Sequence, residues 1–161
     1  MKYYAVIDTN VIVSSMLKHN SIPGRITDLV ISNTIIPLLN EEILEEYFEV
    51  LTRNKFDIEI NDVYKVITAI KEKGLFITKE QTLEDFIDED DIVFYEIVMS
   101  ARNTMDAYLV TGNLKHYPVR NYVVTPRQML EIIEETNRQS WSRNKNRLLL
   151  LLVYLDKLHF K

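Results

Sequence analysis

Cysteine is absent from the 161 residues of this chain. Disulfide bonds, Cys-ligated zinc sites and iron–sulfur clusters are therefore excluded. The three histidines, at positions 19, 116 and 159, are scattered without the spacing of metal ligands. Any metal site must consequently depend on oxygen ligands, which favours magnesium, manganese or calcium.

Glycine is also scarce, with only three residues, and the chain has no glycine-rich phosphate loop. Cradling of a nucleotide by backbone amides is therefore not expected. The few histidines occupy polar turns or the terminus, and they suggest no Ser-His-Asp triad.

Long apolar segments are missing as well. The first apolar run follows Lys2 and has five residues, which is too short for a signal peptide. No run reaches the length that spans a bilayer. These absences predict a soluble cytoplasmic protein without a membrane partner, and the length predicts one main domain with a sizeable core.

The net charge is −5, from 24 acidic and 19 basic residues. This balance argues against a general nucleic-acid coat protein, which would carry a basic face, but it allows a nuclease whose acids gather in one pocket. The charge is uneven. Six of the eight positions from Glu84 to Asp91 are acidic, whereas Arg138 to Arg147 contains four bases and no acid.

The stretch Val6–Val11 organises the chain. Tyr3–Ile7 is an apolar run typical of a buried strand, Asp8 ends it, and a helix pattern follows at once. In parallel sheets, ligands bind beyond the carboxyl ends of the strands, where Asp8 would lie. The alternative is that Asp8 only caps the helix.

Apolar periodicity predicts alternating strands and helices along the rest of the chain. Predicted strands are 3–7, 35–39, 107–111 and 122–124, and 75–78 is a short strand or an extended crossing. Predicted helices run from 8 to about 17 and over 24–32, 41–52, 62–73, 89–99 and 126–136. This order indicates an α/β fold with helices around a mainly parallel sheet.

Four carboxylates are candidates for one shared site. Asp8 follows the first strand, Glu46 lies on the border of an apolar helix stripe, and Asp88 and Asp91 lie at the start of a buried helix. Each is also explained as a helix cap or a solvated side chain. If they converge at one sheet edge, they can hold divalent cations for phosphodiester hydrolysis.

Several stretches resemble the PIN domain family. They are Val6–Val11, the helix segment Glu41–Leu51, Asp88–Asp91, and Tyr108–Asn113 followed by Lys115–Pro118. Their order and spacing are similar to those of the family over about residues 2 to 135. The branch of toxins from toxin–antitoxin pairs is the most similar.

The resemblance implies a three-layer α/β/α fold with a central, mainly parallel sheet, and a ribonuclease that depends on Mg²⁺ or Mn²⁺. It implies catalytic, metal-binding roles for Asp8, Glu46 and Asp91, with Asp88 as an auxiliary ligand. Asn113 stands where many PIN domains have a fourth Asp, so it offers an amide oxygen without charge.

Three small polar residues, Thr9, Asn10 and Thr111, are predicted to support the site by hydrogen bonds to carboxylates or a metal-bound water. Each is also consistent with an ordinary cap or strand end, which is the favoured interpretation of Thr111. The implied partners are RNA, a small antitoxin protein, and further copies of the chain in a homodimer or higher oligomer.

Two regions of different character are expected. Residues 1–136 form the PIN-like domain, and residues 137–161 form a basic linker followed by an apolar C-terminal helix. The apolar run Leu148–Leu155 is too large to leave in water, so it is a candidate interface.

Two other functions stay open. The departure at Asn113 favours a PIN-like module that binds RNA or protein without cleaving. A phosphatase-like hydrolase with Asp8 as the nucleophile is a third reading. Such enzymes usually have a second Asp two residues further on, where this chain has Asn10.

Overall fold

The computed structural model of the protein describes residues 1–81 and 91–159. Its contacts divide the chain into two units, Met1–Gln128 and Met129–Lys161. The first unit contains the sheet and the candidate site, and the second consists of most of one long helix.

Five strands and six α-helices make up the described part of the chain. The strands are β1 (Tyr3–Ile7), β2 (Ile35–Leu39), β3 (Leu75–Phe76), β4 (Ala107–Val110) and β5 (Val123–Val124). The helices are α1 (Thr9–Leu17), α2 (Ile22–Ile31), α3 (Glu41–Leu51), α4 (Ile60–Lys73), α5 (Ile92–Arg102) and α6 (Pro126–His159).

The strands form one parallel sheet in the order β3-β2-β1-β4-β5. β1 is the central strand, and its last three residues, Ala5 to Ile7, are at most 1% exposed. The carboxyl ends of all strands therefore point to the same edge, with β1 in the middle. This confirms the predicted α/β fold with a parallel sheet.

Local sequence explains how three of the helices begin. The side chain of Asp8 caps α1, Ser21 caps α2, and Asn40 caps α3 by accepting the N–H of Ile43 at 2.9 Å. The apolar stripe of α3 is buried, with Ile43, Tyr47 and Leu51 each 0% exposed.

Most predicted boundaries lie within three residues of those in the structure, and the end of the last helix differs by far more. The helix predicted to end near Thr136 continues without a break to His159. Residues 137–146 contain neither Gly nor Pro, and their Arg, Gln and Lys residues are good helix formers, so a polar stretch does not end the helix. The strand predicted over 75–78 is limited to Leu75–Phe76.

The predicted cap at Asp88 lies outside the described residues. In the part of the chain that the structure covers, no helix is both long enough and apolar enough to cross a membrane.

Candidate active site

Asp8 lies at the carboxyl end of β1, beside the end of β4. The parallel register places Ile7 opposite Val110, and the Asp8 N–H donates to the Val110 carbonyl at 2.9 Å. Thr111 follows Val110, and its hydroxyl donates to Asp8 Oδ2 at 2.5 Å. The register of two strands thus joins residues that are far apart in sequence.

The second carboxylate oxygen of Asp8 caps α1. Asp8 Oδ1 accepts the N–H of Asn10 at 3.0 Å. Asp8 is only 4% exposed, and this burial raises the pKa of its carboxyl above the ordinary value. The charge of Asp91 adds to the rise, while hydrogen bonds from Thr111 and Asn10 oppose it. The capping role and a site role are therefore compatible.

Glu46 faces the same region from helix α3. The Thr9 hydroxyl donates to Glu46 Oε1 at 2.6 Å and so links α3 to the first turn of α1. Glu46 is half-buried, whereas its helix neighbours Glu45 and Glu49 are exposed. Its observed position agrees with the border of the apolar stripe that the helical periodicity predicts.

A buried tyrosine lies beneath these two carboxylates. The Tyr47 hydroxyl donates to the backbone carbonyl of Ile7, and the side chain is 0% exposed. Burial raises the pKa of Tyr47 well above its ordinary value, and the charges of Asp8 and Glu46 add to the effect. The phenol therefore stays protonated and fixes α3 against the end of β1.

Asp91 is the residue that precedes α5, and its side chain reaches the site. It makes no side-chain capping hydrogen bond to that helix. Instead, Asp91 Oδ2 lies 2.6 Å from His116 Nδ1, and Asp91 Oδ1 accepts the Tyr117 hydroxyl at 3.1 Å. The same hydroxyl lies 3.2 Å from Asp8 Oδ2. A single tyrosine thus connects two of the predicted acids.

The loop after β4 is tied to α1 by the side chain of Asn10. Asn10 Oδ1 accepts the Gly112 N–H at 2.9 Å, and Thr111 Oγ1 accepts the Asn113 N–H at 2.9 Å. A Cβ atom on Gly112 would lie 2.9 Å from Asn10 Oδ1, so a larger residue there would require the Asn10 side chain to shift. These bonds place Asn113 at the site.

Many of these residues line one cavity of about 820 Å³. Six of the eight predicted site residues line it: Asp8, Thr9, Asn10, Glu46, Asp91 and Asn113. Thr111 is 0% exposed and acts from behind through Asp8. Asp88, the predicted auxiliary ligand, lies outside the described residues.

His116 and Tyr117 are the site residues that sequence reasoning did not single out. They follow β4, and the short 3-10 helix Leu114–His116 turns them back toward the carboxylates. They belong to a stretch that resembles PIN domains. However, neither has the spacing of a metal ligand, so only the tertiary fold shows what they touch.

The cavity carries an excess of negative charge. Its described lining includes six carboxylates, against the cations Arg53 and, when protonated, His116. Arg53 forms an ion pair with Glu49, with 2.9 Å between Arg53 Nη2 and Glu49 Oε1. This excess and the all-oxygen carboxylate donors suit a hard divalent cation.

The arrangement places limits on how such a cation is held. Among the described residues, no three acidic or histidine side chains converge closely enough to bind one ion together. Mg²⁺ usually keeps several of its waters and binds through one or two carboxylates. The pair Asp8 and Asp91, joined through the Tyr117 hydroxyl, fits that mode, and Glu46 also lines the cavity.

Comparison with known proteins places this geometry in a family. A family model described as PIN domain matches residues 4–115. The chain belongs to the PIN domain family. PIN domains are generally metal-dependent nucleases, and the matched range contains every predicted acid of the site as well as Asn113.

A second comparison finds a relative of similar length. The chain is 28% identical over 150 residues to an uncharacterized protein of Methanocaldococcus jannaschii. The match covers 84% of this chain and 94% of that protein. The likeness to this relative therefore extends over most of both chains.

Proposed function

We propose that this PIN domain protein is a Mg²⁺- or Mn²⁺-dependent endoribonuclease that cleaves single-stranded RNA, and the toxin of a toxin–antitoxin pair acting in the cytoplasm. One observation carries the proposal: Asp8, Glu46 and Asp91, from three distant parts of the chain, line a single acidic cavity. Because PIN domains are generally nucleases, phosphodiester cleavage is the reaction we propose for that cavity.

Asp8 and Asp91 would bind the metal directly, Glu46 would hold it through bound water, and Asn113 would contribute an amide oxygen. Metals in such sites supply Lewis-acid activation of water and neutralise charge on the phosphate. The protein's own part is orientation. The bonds from Thr111 to Asp8 and from Thr9 to Glu46 restrict how each carboxylate turns.

The charge of the cavity explains why the metal would matter for the substrate as well. RNA phosphates are repelled by a wall of carboxylates, so an empty acidic cavity binds RNA poorly. A divalent cation at Asp8 and Asp91 would offset the two negative charges of these carboxylates and weaken that repulsion. We therefore expect RNA binding and cleavage to require the same ion.

Two partner proteins belong to the proposal. A small antitoxin that covers or enters the acidic cavity would block the active site, as the resemblance to toxins implies. A homodimer or higher oligomer is proposed from the apolar sequence of residues 148–155. The size of the purified protein in light scattering tests the second partner directly.

Substitution of Asp8 tests the nuclease. Asp8→Asn keeps the size of the side chain but removes its charge, and we expect Mg²⁺-dependent cleavage of single-stranded RNA to fall by about 100-fold or more, since even outer-shell partners of metal sites are worth 10–100-fold. Growth arrest on expression is expected to disappear with it.

Asp62→Asn is the matched control. Asp62 lies on α4, its side chain is 56% exposed, and it pairs with Lys65 outside the cavity. This variant should cleave RNA like the wild type. Undiminished cleavage by Asp8→Asn, with both variants folded by circular dichroism, would remove the proposed nuclease.

A module that binds without cleaving is the second candidate. It is favoured by Asn113 at the cavity wall and by the lack, among described residues, of three converging metal-ligating side chains. Titration with manganese in a calorimeter separates the two functions. Saturable binding supports the nuclease, whereas no heat of binding at millimolar manganese supports the module.

A further inference from the structure

The Tyr117 hydroxyl lies between two carboxylates that come from opposite sides of the site. It is 3.2 Å from Asp8 Oδ2 at the end of β1 and 3.1 Å from Asp91 Oδ1 before α5. The Tyr117 side chain is 5% exposed, so its ring cannot swing into solvent without breaking packing. The hydroxyl is thus held in place by the buried ring.

This hydroxyl remains a hydrogen-bond donor over the ordinary range of pH. Burial raises the pKa of Tyr117 far above its usual value, and the charges of Asp8 and Asp91 add to the rise. A phenol has one proton, so it donates to one carboxylate at a time. The other carboxylate then lies close to the hydroxyl oxygen without receiving a full hydrogen bond from it.

Other hydrogen bonds also orient the two acids. Asp8 is held by Thr111 and by the Asn10 N–H, and Asp91 by His116. None of these bonds links Asp8 to Asp91. Tyr117 supplies a link between them, and it opposes the electrostatic repulsion that would otherwise push the carboxylates apart.

We propose that Tyr117 is a positioning residue whose hydroxyl sets the separation of the Asp8 and Asp91 carboxylates for a divalent cation. The inference rests on the proposed metal site, but it concerns affinity for the ion and not the cleavage step. Phe at this position would fill the same space and leave the two acids without their link.

Tyr117→Phe tests the role with the full-length protein and Mn²⁺ alone as the probe. We expect calorimetric titration of metal-free protein to show a Kd about 10-fold higher than for the wild type, the lower end of the range for outer-shell partners. RNA cleavage by the variant should recover when Mn²⁺ is raised to saturation, because the catalytic acids are intact.

Tyr122→Phe is the matched control. Its side chain is 9% exposed, and its hydroxyl lies 3.2 Å from that of Tyr95, outside the cavity lining. This variant loses a buried phenol hydroxyl without touching either acid, so its Kd for Mn²⁺ should equal that of the wild type. An equal loss of affinity in both variants would indicate general loosening and overturn the proposal.

The remaining outcomes separate this inference from the nuclease. Wild-type affinity or tighter binding in Tyr117→Phe overturns the positioning role and leaves the proposed function standing. The expected pattern of affinities in a protein that cleaves no RNA supports the positioning role and overturns the nuclease. A wild-type protein that does not bind Mn²⁺ overturns both.

Discussion

Asp8 uses its two carboxylate oxygens for different tasks. Oδ1 caps α1 through the Asn10 N–H, while Oδ2 accepts the hydroxyls of Thr111 and Tyr117. One side chain therefore starts a helix and anchors the candidate site. The local cap and the geometry of the cavity cannot be changed independently at this position.

The raised pKa of Asp8 predicts a pH dependence of stability in metal-free protein. Because the folded pKa lies above the unfolded value of 3.8, the folded state binds more protons between the two values. Stability from this group therefore falls as the pH rises through that window, and the loss persists at neutral pH. Asp8→Asn lacks this titration.

We accordingly expect the melting temperature of Asp8→Asn, measured against wild type in EDTA, to improve with rising pH by roughly a few degrees in total. Thermal scans by circular dichroism from acidic to neutral pH provide the measurement. Asp62→Asn, which removes an exposed carboxylate outside the cavity, is the control for this comparison. A difference that is constant with pH would contradict the buried-carboxylate explanation.

Residues differ in how far sequence alone can place them. Asp8 and Asn113 follow strand ends, so the rule for parallel sheets locates them. The sequence allows Thr111 to support the site or to be an ordinary strand end and favours the latter, whereas in the structure its hydroxyl donates to Asp8. Tyr117 contacts acids 109 and 26 positions away, and no local pattern predicts such contacts.

At the scale of elements, local patterns predict the boundaries of α3 closely but do not predict the end of α6. Asn40 caps α3 as its sequence context indicates, and α3 runs over Glu41–Leu51 close to the predicted 41–52. The end of α6 was missed, because a change from apolar to polar composition does not stop a helix that has no Gly or Pro.

The cap of α3 is predicted to support the site as well as the fold. Asn40→Ala removes the bond to the Ile43 N–H, which should lower the free energy of unfolding by about 1 kcal/mol in urea titration. Asn40→Ser keeps an acceptor at the cap and should retain most of the stability. Equal losses in the two variants would show that the cap bond is not the cause.

At the scale of the whole molecule, the candidate site exists only when the sheet is complete. The bond from Thr111 to Asp8 spans 103 positions, and that from Thr9 to Glu46 spans 37. Periodicity predicts the strands, but it does not give their order across the sheet. Local patterns do not indicate that the distant acids meet at one site, whereas the resemblance to the PIN domain family does.

An ion bound by a site of this kind stabilises the whole fold, since the unfolded chain does not bring the acids together. Saturation at 100 times Kd contributes about 2.7 kcal/mol, which for a chain of this size corresponds to a rise in melting temperature of roughly 5–10 °C. We expect Mn²⁺ to produce that rise in the wild type and in Asp62→Asn, and EDTA to reverse it. Asp8→Asn should respond little at the same concentration, and a full rise in that variant would mean that the ion stabilises the protein from another place.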